Sequence, residues 1–477
     1  MKFNLIDDKL FGKLAGEDEA IETLEYVFVQ SAEYDVFNDD AKLRIVKARK
    51  GMGKSAVLKM SAHNKRQFKE NIVIEVKGSD LITRIPFDNS TDDQQNINDW
   101  MRRICSRIAV EIGKTIGFAN SDDTITLVEN AEILGFKEKN MVSALFDRML
   151  KKVSLGPIEL GAAKIPSSNE HELIKRLQTK NLQNVWIYID DIDAKFKNSE
   201  VECERLSSFL TCCRYLVNDI KGLFIRTCLR SDVWTAIAQT DESLDKVEEY
   251  FINLKWNEYF IGNIIAKRIQ RYMEYNGISS LIGGKKVLNY YDINTLMAKV
   301  FMSMPWNRGL VRPGFPIYVF SNGRPRWAIQ LCKLAADTAH KNRRDIIRFS
   351  DIKTNLKEYG RKRVEDIIRE HQHQCKDINK ILLAFNNESA TLETDVLLKL
   401  LEKKLNGEII IIQGVFGDAN ILDIARFLFK INFITATNGK DFYSYEQEPD
   451  LLMHNVDLDK GYKWAIHPCY RDYIKTN

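Results

Sequence analysis

A short apolar run, Leu43-Arg-Ile-Val-Lys47, leads straight into Ala48-Arg-Lys-Gly-Met-Gly-Lys-Ser55, and that segment into the helix-forming Ser55-Ala-Val-Leu-Lys-Met60. Strand, glycine loop and helix with no spacer between them form the arrangement that holds nucleotide phosphates, and few folds supply it. Gly51 and Gly53 allow backbone angles and a close approach that a Cβ would block. Such a turn aims successive N–H groups, together with the positive end of the following helix, at an anion. Lys50, Gly51, Met52, Gly53, Lys54, Ser55 and Ala56 are therefore the expected phosphate contacts. Lys54 is placed to reach the β- and γ-phosphates, and the Ser55 hydroxyl to take one Mg²⁺ position. The usual pattern opens on glycine. Ala48 is the mildest replacement, expected to alter the loop entry and to retain binding.

A second element agrees with the first. Asn184-Val-Trp-Ile-Tyr-Ile-Asp-Asp-Ile-Asp193 is a β-rich apolar run ending in three carboxylates among four residues. Strands buried in a parallel sheet read this way, and their carboxyl ends carry functional groups. Asp190 is placed to bind Mg²⁺ and Asp191 to polarise an attacking water. Asp193 is a further polar contact or the cap of the next helix. Clustered carboxylates repel one another, so a neighbouring cation accounts for them better than a purely structural turn does. The two motifs together imply ATP, Mg²⁺ and attack on the γ-phosphate.

Length allows two or three domains in the 477 residues. A formal charge of +4 is small for this size and does not mark a nucleic-acid binder. No apolar stretch approaches the roughly 20 residues that a bilayer crossing needs. The start, Met1-Lys-Phe-Asn-Leu-Ile-Asp-Asp8, lacks the apolar core of a signal peptide, so a cytoplasmic location is expected. Eight cysteines without a CxxC pair read as reduced, buried thiols. His371-Gln-His-Gln-Cys375 has no second ligand cluster and reads as a solvated helix face rather than a metal site.

Along the chain, Gly16 to Val29 has the pattern of an amphipathic helix, preceded by Leu10, Phe11 and Leu14. Asn71–Val76 and Lys221–Asp232 read as further strands, the latter ending in Arg230 with Ser231 or Asp232 as a helix cap. Over a hundred residues separate the second strand from the acidic one. Helices are expected there near Ile97–Ile116, Asp122–Ile133, Asn140–Lys152 and Glu170–Thr179, with a hairpin-like Val153–Gly161. Lys255–Tyr275 and Asp292–Met304 read as helices, Gly309–Pro316 as a Pro/Gly loop, and Ser321–Arg326 as the opening of a long helix through His340. Lys341–Lys376 carries 11 Lys and Arg against 6 Asp and Glu. Asn-Gly at 438–439 predicts a late hairpin after several helices, a winged-helix pattern. The expected division is a core over 1–270 with a helical insertion at about 85–180, a helical lid over 271–376 and a winged-helix-like domain over 377–477.

The order of phosphate loop, strand ending Asp190-Asp191, strand ending Arg230-Ser-Asp232, and Gly323-Arg-Pro-Arg326 at a helix start resembles the STAND and initiator-like AAA+ ATPases. More narrowly, it resembles the bacterial stand-alone members often encoded in phage-defence islands. The resemblance implies an α/β P-loop NTPase core with a parallel sheet, a helical lid and a winged-helix-like tail. It implies that Arg230 or its neighbour senses phosphate, that Arg326 or Arg324 is the lid arginine, and that Arg214 is a candidate inter-subunit finger. Thr227-Cys228 stands where these proteins often carry asparagine. The role implied is a nucleotide-dependent switch that forms homo-oligomers or activates a separate effector protein in antiviral defence.

The alternative is a nucleic-acid-binding initiator or loader. From Asp377 onward the chain carries 11 Lys and Arg against 15 Asp and Glu, and Asn420–Lys430, the candidate recognition segment, offers only Arg426 and Lys430. Duplex affinity depends on neutralising phosphates, so this tail reads as a protein-contact domain and nucleic acid is the less favoured partner.

Overall fold

The computed structural model describes residues 3–83, 93–115, 184–239, 241–278, 282, 284–306, 309–439, 441–452 and 461–475. Five strands, β1 (Leu43–Ala48), β2 (Asn71–Lys77), β3 (Asn184–Asp190), β4 (Leu223–Arg230) and β5 (Phe251–Asn253), form a sheet in the order β2-β3-β4-β1-β5. Every pairing is parallel. Thr227 lies opposite Ile45 on one side and Ile189 on the other. That register brings the phosphate loop, the acidic turn and Arg230 to one edge. The core is thus a parallel α/β sheet with the glycine loop and the acidic turn at its carboxyl edge.

Alternate residues of β3 serve opposite faces, as strand geometry requires. Ile187 and Ile189 pack with Trp100, Leu206, Phe209 and Leu210. Trp186 and Tyr188 pack with Val57, Leu58 and Met60 of the phosphate-loop helix, Lys54–Arg66. The first face is covered by helices Asp93–Thr115 and Glu200–Asp219, the latter started by a Ser199/Glu202 capping box.

Beyond the sheet come helices Glu258–Tyr275 and Tyr290–Met297, a hairpin of β6 (Met304–Trp306) and β7 (Gly309–Val311), and helices Gly314–Phe320, Pro325–Lys341 and Phe349–His371. The C-terminal part runs helix Ile378–Leu383, β8 (Thr391–Glu393), helices Thr394–Lys404 and Ile421–Lys430, β9 (Ile434–Thr437), β10 (Phe442–Tyr443), β11 (Lys463–Ile466) and helix Pro468–Ile474. Its sheet has the order β10-β9-β11-β8 and antiparallel pairings. The expected turn is present, with Phe442 opposite Thr437 and Gly439 at φ +92°. One continuous apolar core joins Leu10 and Phe11, the lid helices and the C-terminal part, apart from both faces of the parallel sheet.

Several expectations change. Gly16–Val29 is a 3₁₀ turn, Gly16–Asp18, followed by a helix of only Ile21–Val27. The helix expected over Asp292–Met304 is Tyr290–Met297, and the Gly309–Pro316 loop is a strand plus a helix start. Helix Ser231–Ala238 has no side-chain cap, because the Asp232 carboxylate is buried toward Arg230 instead. His371 is buried rather than solvated, its imidazole pushed down to about 4 by that burial. The expected helices at 122–133, 140–152 and 170–179 and the hairpin at 153–161 lie outside the described residues. All eight cysteines are free and buried. Among the described residues no helix is long and apolar enough to cross a membrane.

A buried ion pair ties the start of helix Pro325–Lys341 to helix Phe349–His371. Arg324 Nη1 donates to Glu370 Oε2 at 2.7 Å, with side chains 2% and 1% exposed. Burial alone would raise the Glu370 carboxyl, but Arg324 and then His371 hold it well below the ordinary range. Removing one member strands a buried charge. Arg324→Met is expected to lower unfolding free energy by about 3–5 kcal/mol, while Arg324→Met/Glu370→Leu recovers most of it. Denaturant titration of the three proteins checks the order.

Candidate functional site

The phosphate loop is held by its carbonyl groups and its first amide. Glu370 Oε1 accepts from Lys50 N at 3.2 Å and Arg324 donates to Lys50 O at 3.2 Å. Arg326 N donates to Gly51 O at 3.3 Å, and Trp256 Nε1 to Met52 O at 2.8 Å. Gly51 and Gly53 adopt φ +81° and +92°, angles a side chain would strain. The N–H groups from Gly51 to Ser55 have no acceptor among the described residues. Loop carbonyls are fixed outward while the amides are left for an anion. Lys54 Nζ donates to Ala48 O at 3.1 Å and Arg49 O at 3.4 Å, which folds its cation back over the loop.

The acidic turn forms the second wall. Asp191 takes φ +55°, a left-handed conformation that aspartate tolerates, and this turns the chain off β3. Partial desolvation, then Asp190, Asp193 and Glu17, raise its carboxyl above the ordinary value, with Lys54 pulling the other way. Asp190 Oδ1 accepts from Asp191 N at 2.9 Å and from the Cys228 thiol at 3.0 Å. Burial keeps that thiol protonated, so it is a donor. Thr227 Oγ1 donates to Ile189 O at 2.8 Å. Thr227 and Cys228 thus supply the polar support at this position. Asp193 is buried and accepts from Arg230 N at 2.6 Å, with the guanidinium 3.6 Å away. Asp193 therefore positions Arg230 and caps no helix. His373 lies 3.6 Å from Asp232, but burial pushes its imidazole down to about 4, so the approach is a contact between a neutral ring and a carboxyl.

The third wall comes from the N-terminal segment and the lid. A cavity of about 360 Å³ is lined by the loop, Asp191, Asp193, Arg230 and Arg326, and at its apolar end by Leu24, Val27, Phe28, Val29, Ile264 and Ile329. Its size and its mixed apolar and charged lining suit a small ligand with an apolar part and a charged part. Leu14 lines it, whereas Leu10 and Phe11 are core residues of the lid.

Of the expected residues, the cavity brings together Lys50, Gly51, Met52, Gly53, Lys54, Ser55, Ala56, Asp191, Arg230 and Arg326. Arg324 does not line it. The guanidinium is turned into the Glu370 pair and lies over Trp327, 4.2 Å from the ring centre, which removes it from the phosphate side. Asp190 sits just behind the lining, on β3. Arg214 is on helix Glu200–Asp219, away from the cavity. Sequence reasoning missed Glu17, Arg268, Trp256 and Glu370. Arg268 is buried and donates to Glu19 Oε1 at 2.9 Å and to Phe11 O at 2.6 Å, and it too lines the cavity. These four are scattered across the chain, and none stands near the loop in sequence, so no local signal marked them. Among the described residues no group of three or more His, Cys, Asp or Glu could hold a metal ion. A divalent ion here would depend on phosphate, hydroxyl and water ligands, as Mg²⁺ at nucleotides does.

No protein-family model matches the sequence, and no curated protein matches it. Among solved structures, the chain is similar to the ORC2 protein of Aeropyrum pernix in ADPNP and ADP complexes, at 11% identity over 98% of this chain and 96% of that one, with a TM-score of 0.43. It is also similar to Cdc6p from Pyrobaculum aerophilum, at 11% identity over 98% and 97%, TM-score 0.34. The ORC1 protein of Aeropyrum pernix in complex with DNA matches at 13% identity over 87% and 88%, TM-score 0.32. At TM-scores below 0.5 these similarities decide nothing about activity, which rests on the residues of the cavity.

Proposed function

We propose that the chain is an ATP-binding, ATP-hydrolysing P-loop switch whose nucleotide site is read out by its C-terminal part. The observation that carries this reading is the set of unpartnered loop amides from Gly51 to Ser55, facing a cavity that also holds Lys54, Asp191, Arg230 and Arg326. Those amides suit phosphate oxygens, and the apolar end suits a base. The Ser55 hydroxyl would hold Mg²⁺ directly and Asp190 through water, and the ion would supply charge neutralisation at the phosphates. Asp191 would orient and deprotonate the attacking water, and Arg230 and Arg326 would meet the negative charge at the γ-phosphate, a task suited to a permanently charged guanidinium. Arg49 carries the link outward: its guanidinium donates to Lys430 O at 3.2 Å and lies 3.2 Å from Glu446.

A second reading gives the same ATPase a nucleic-acid output, as an initiator or loader. The order helix, strand, helix, helix, three strands and helix from Ile378 onward supports a winged-helix reading, and exposed cations stand at Lys341, Arg343, Arg348, Lys353 and Lys357. Against duplex contact by helix Ile421–Lys430, Arg426 already donates to Leu451 O and Pro449 O. The cations at Lys341–Lys357 are the better candidates. No residue of the site speaks for a role in antiviral defence, and that setting rests on the family resemblance alone. Homo-oligomers and a separate effector remain part of the proposal, as does the cytoplasmic location.

Lys54→Ala is expected to lose nucleotide binding with an unchanged circular dichroism spectrum. Asp191→Asn should bind ATP and hydrolyse it about 10²–10⁴-fold more slowly. Light scattering of that variant with ATP, with ADP and with added duplex DNA separates the outputs. Growth in mass with ATP alone supports the assembly switch, and growth only with DNA supports the loader. Wild-type turnover in Asp191→Asn would place the water-activating acid elsewhere.

The raised carboxyl of Asp191 fixes a pH dependence. Only its ionised form accepts a proton, so hydrolysis should fall as pH drops, with the acid limb above the ordinary aspartate value of about 3.9. A limb of kcat at or below that value would contradict the assignment.

A further inference from the structure

Glu17 presents a carboxylate to a cavity whose expected ligand is a polyanion. Its 3₁₀ turn, Gly16–Asp18, is pinned to the phosphate-loop helix from two directions. Lys59 Nζ donates to Glu17 O and Glu19 O, each at 2.7 Å. A Cβ on Gly16 would come within 2.9 Å of the Ala56 Cβ, so the turn lies directly on that helix. The carboxylate cannot drift away from the loop, and its charge acts on Asp191 as well. Its partner is Arg326, whose Nη2 donates to Glu17 Oε1 at 3.1 Å and whose backbone N–H holds Gly51 O.

A buried pair at this place would be permanent, but this one is open. Side-chain exposure is 35% for Arg326 and 37% for Glu17, so water screens the attraction and the pair opens readily. A triphosphate carries more charge than one carboxylate and can grip a guanidinium in bidentate fashion. A diphosphate ends one phosphoryl group short.

We propose that Glu17 competes with the terminal phosphate of a nucleoside triphosphate for Arg326, so that triphosphate breaks the Glu17–Arg326 pair and diphosphate leaves it closed. The inference rests on the nucleotide-site reading given above. Glu17 is a positioning residue here: it acts through Arg326 and sets how strongly the site distinguishes tri- from diphosphate. The pair also joins the N-terminal turn to the first turn of helix Pro325–Lys341, so its opening removes one of the contacts between that turn and the lid.

The test is calorimetric titration of the full chain with Mg²⁺ and either ADP or the β,γ-imido analogue of ATP. Glu17→Gln removes the charge and leaves the main-chain acceptors of Lys59 in place. It is expected to tighten the triphosphate analogue about three- to tenfold and to keep ADP within about twofold of wild type. In an Arg326→Ala background the same substitution should change neither ligand. Glu17→Ala gives the same readings if Gln is poorly tolerated. The inference is overturned if Glu17→Gln tightens both ligands equally, if the ratio stays at the wild-type value, or if the effect persists without Arg326. Lys54→Ala separates the two levels of argument. Loss of both ligands in that variant supports the site, whereas unchanged binding, or no binding by the wild type, refutes the nucleotide reading and this inference with it.

Discussion

Lys50 is the point where the loop after β1 meets the lid, and a buried charge pair between two lid helices holds it there. The two members of the pair divide its peptide groups: Glu370 takes the N–H and Arg324 grips the C=O. An ion pair so deeply buried need not stabilise the fold more than apolar residues would, because both charges lose their hydration. What it supplies is register. A loop of glycines has many conformations, and fixing Lys50 from both sides, Gly51 O from Arg326 and Met52 O from Trp256 removes most of them. The loop amides are then aimed before any ligand arrives, and binding need not supply the entropy of ordering them.

Much of this was legible locally. Leu43–Met60 and Asn184–Asp193 declare strand, loop and carboxylates within a few residues of one another, and parallel pairing brings their ends level. Gly323-Arg-Pro-Arg326 was legible as a helix start with two candidate arginines. Pro325 sits in the first turn, with Arg324 as the residue before it. Which arginine faces the loop depends on Glu370, 46 positions later, and nothing near Arg324 announces that partner. His371 failed for a related reason. Its neighbours are polar, yet it is buried 6.4 Å from the ring of Phe427, on a helix from another part of the chain. Glu17 was hidden in what read as one amphipathic helix. The break after Asp18 is enforced by Lys59, whose ammonium takes the carbonyls of Glu17 and Glu19.

Charge in the cavity is nearly balanced before any ligand is considered. Glu17, Asp191 and Asp193 face Lys50, Lys54, Arg230, Arg268 and Arg326, and Arg268 is already neutralised by Glu19. Asp193 is spent on Arg230, and Lys54 is turned to the carbonyls of its own loop. The remaining carboxyl is Asp191, raised first by partial desolvation and then by the carboxylates beside it. That is the electrostatic setting in which an aspartate accepts a proton more readily than it does in water.

The ion pairs around the site fall into two classes, and the division suggests which contacts a nucleotide can rearrange. Arg324–Glu370 and Arg268–Glu19 are buried at both ends, and breaking either would strand a charge at a cost of several kcal/mol. Arg326–Glu17 is about a third exposed, and Arg49–Glu446 has its carboxylate 45% exposed, so opening either costs far less. One phosphate oxygen more or less can supply about 1 kcal/mol of differential affinity but not several from a single contact. On the proposed reading, the buried pairs form the frame that keeps the loop aimed, and the signal runs through the exposed ones. One of them, Arg326–Glu17, looks toward the lid, and the other, Arg49–Glu446, toward the C-terminal part. The phosphate loop lies between the two, so a single displacement at Arg326 reaches Arg49 along only a few residues of fixed backbone, with Lys50 as its pivot.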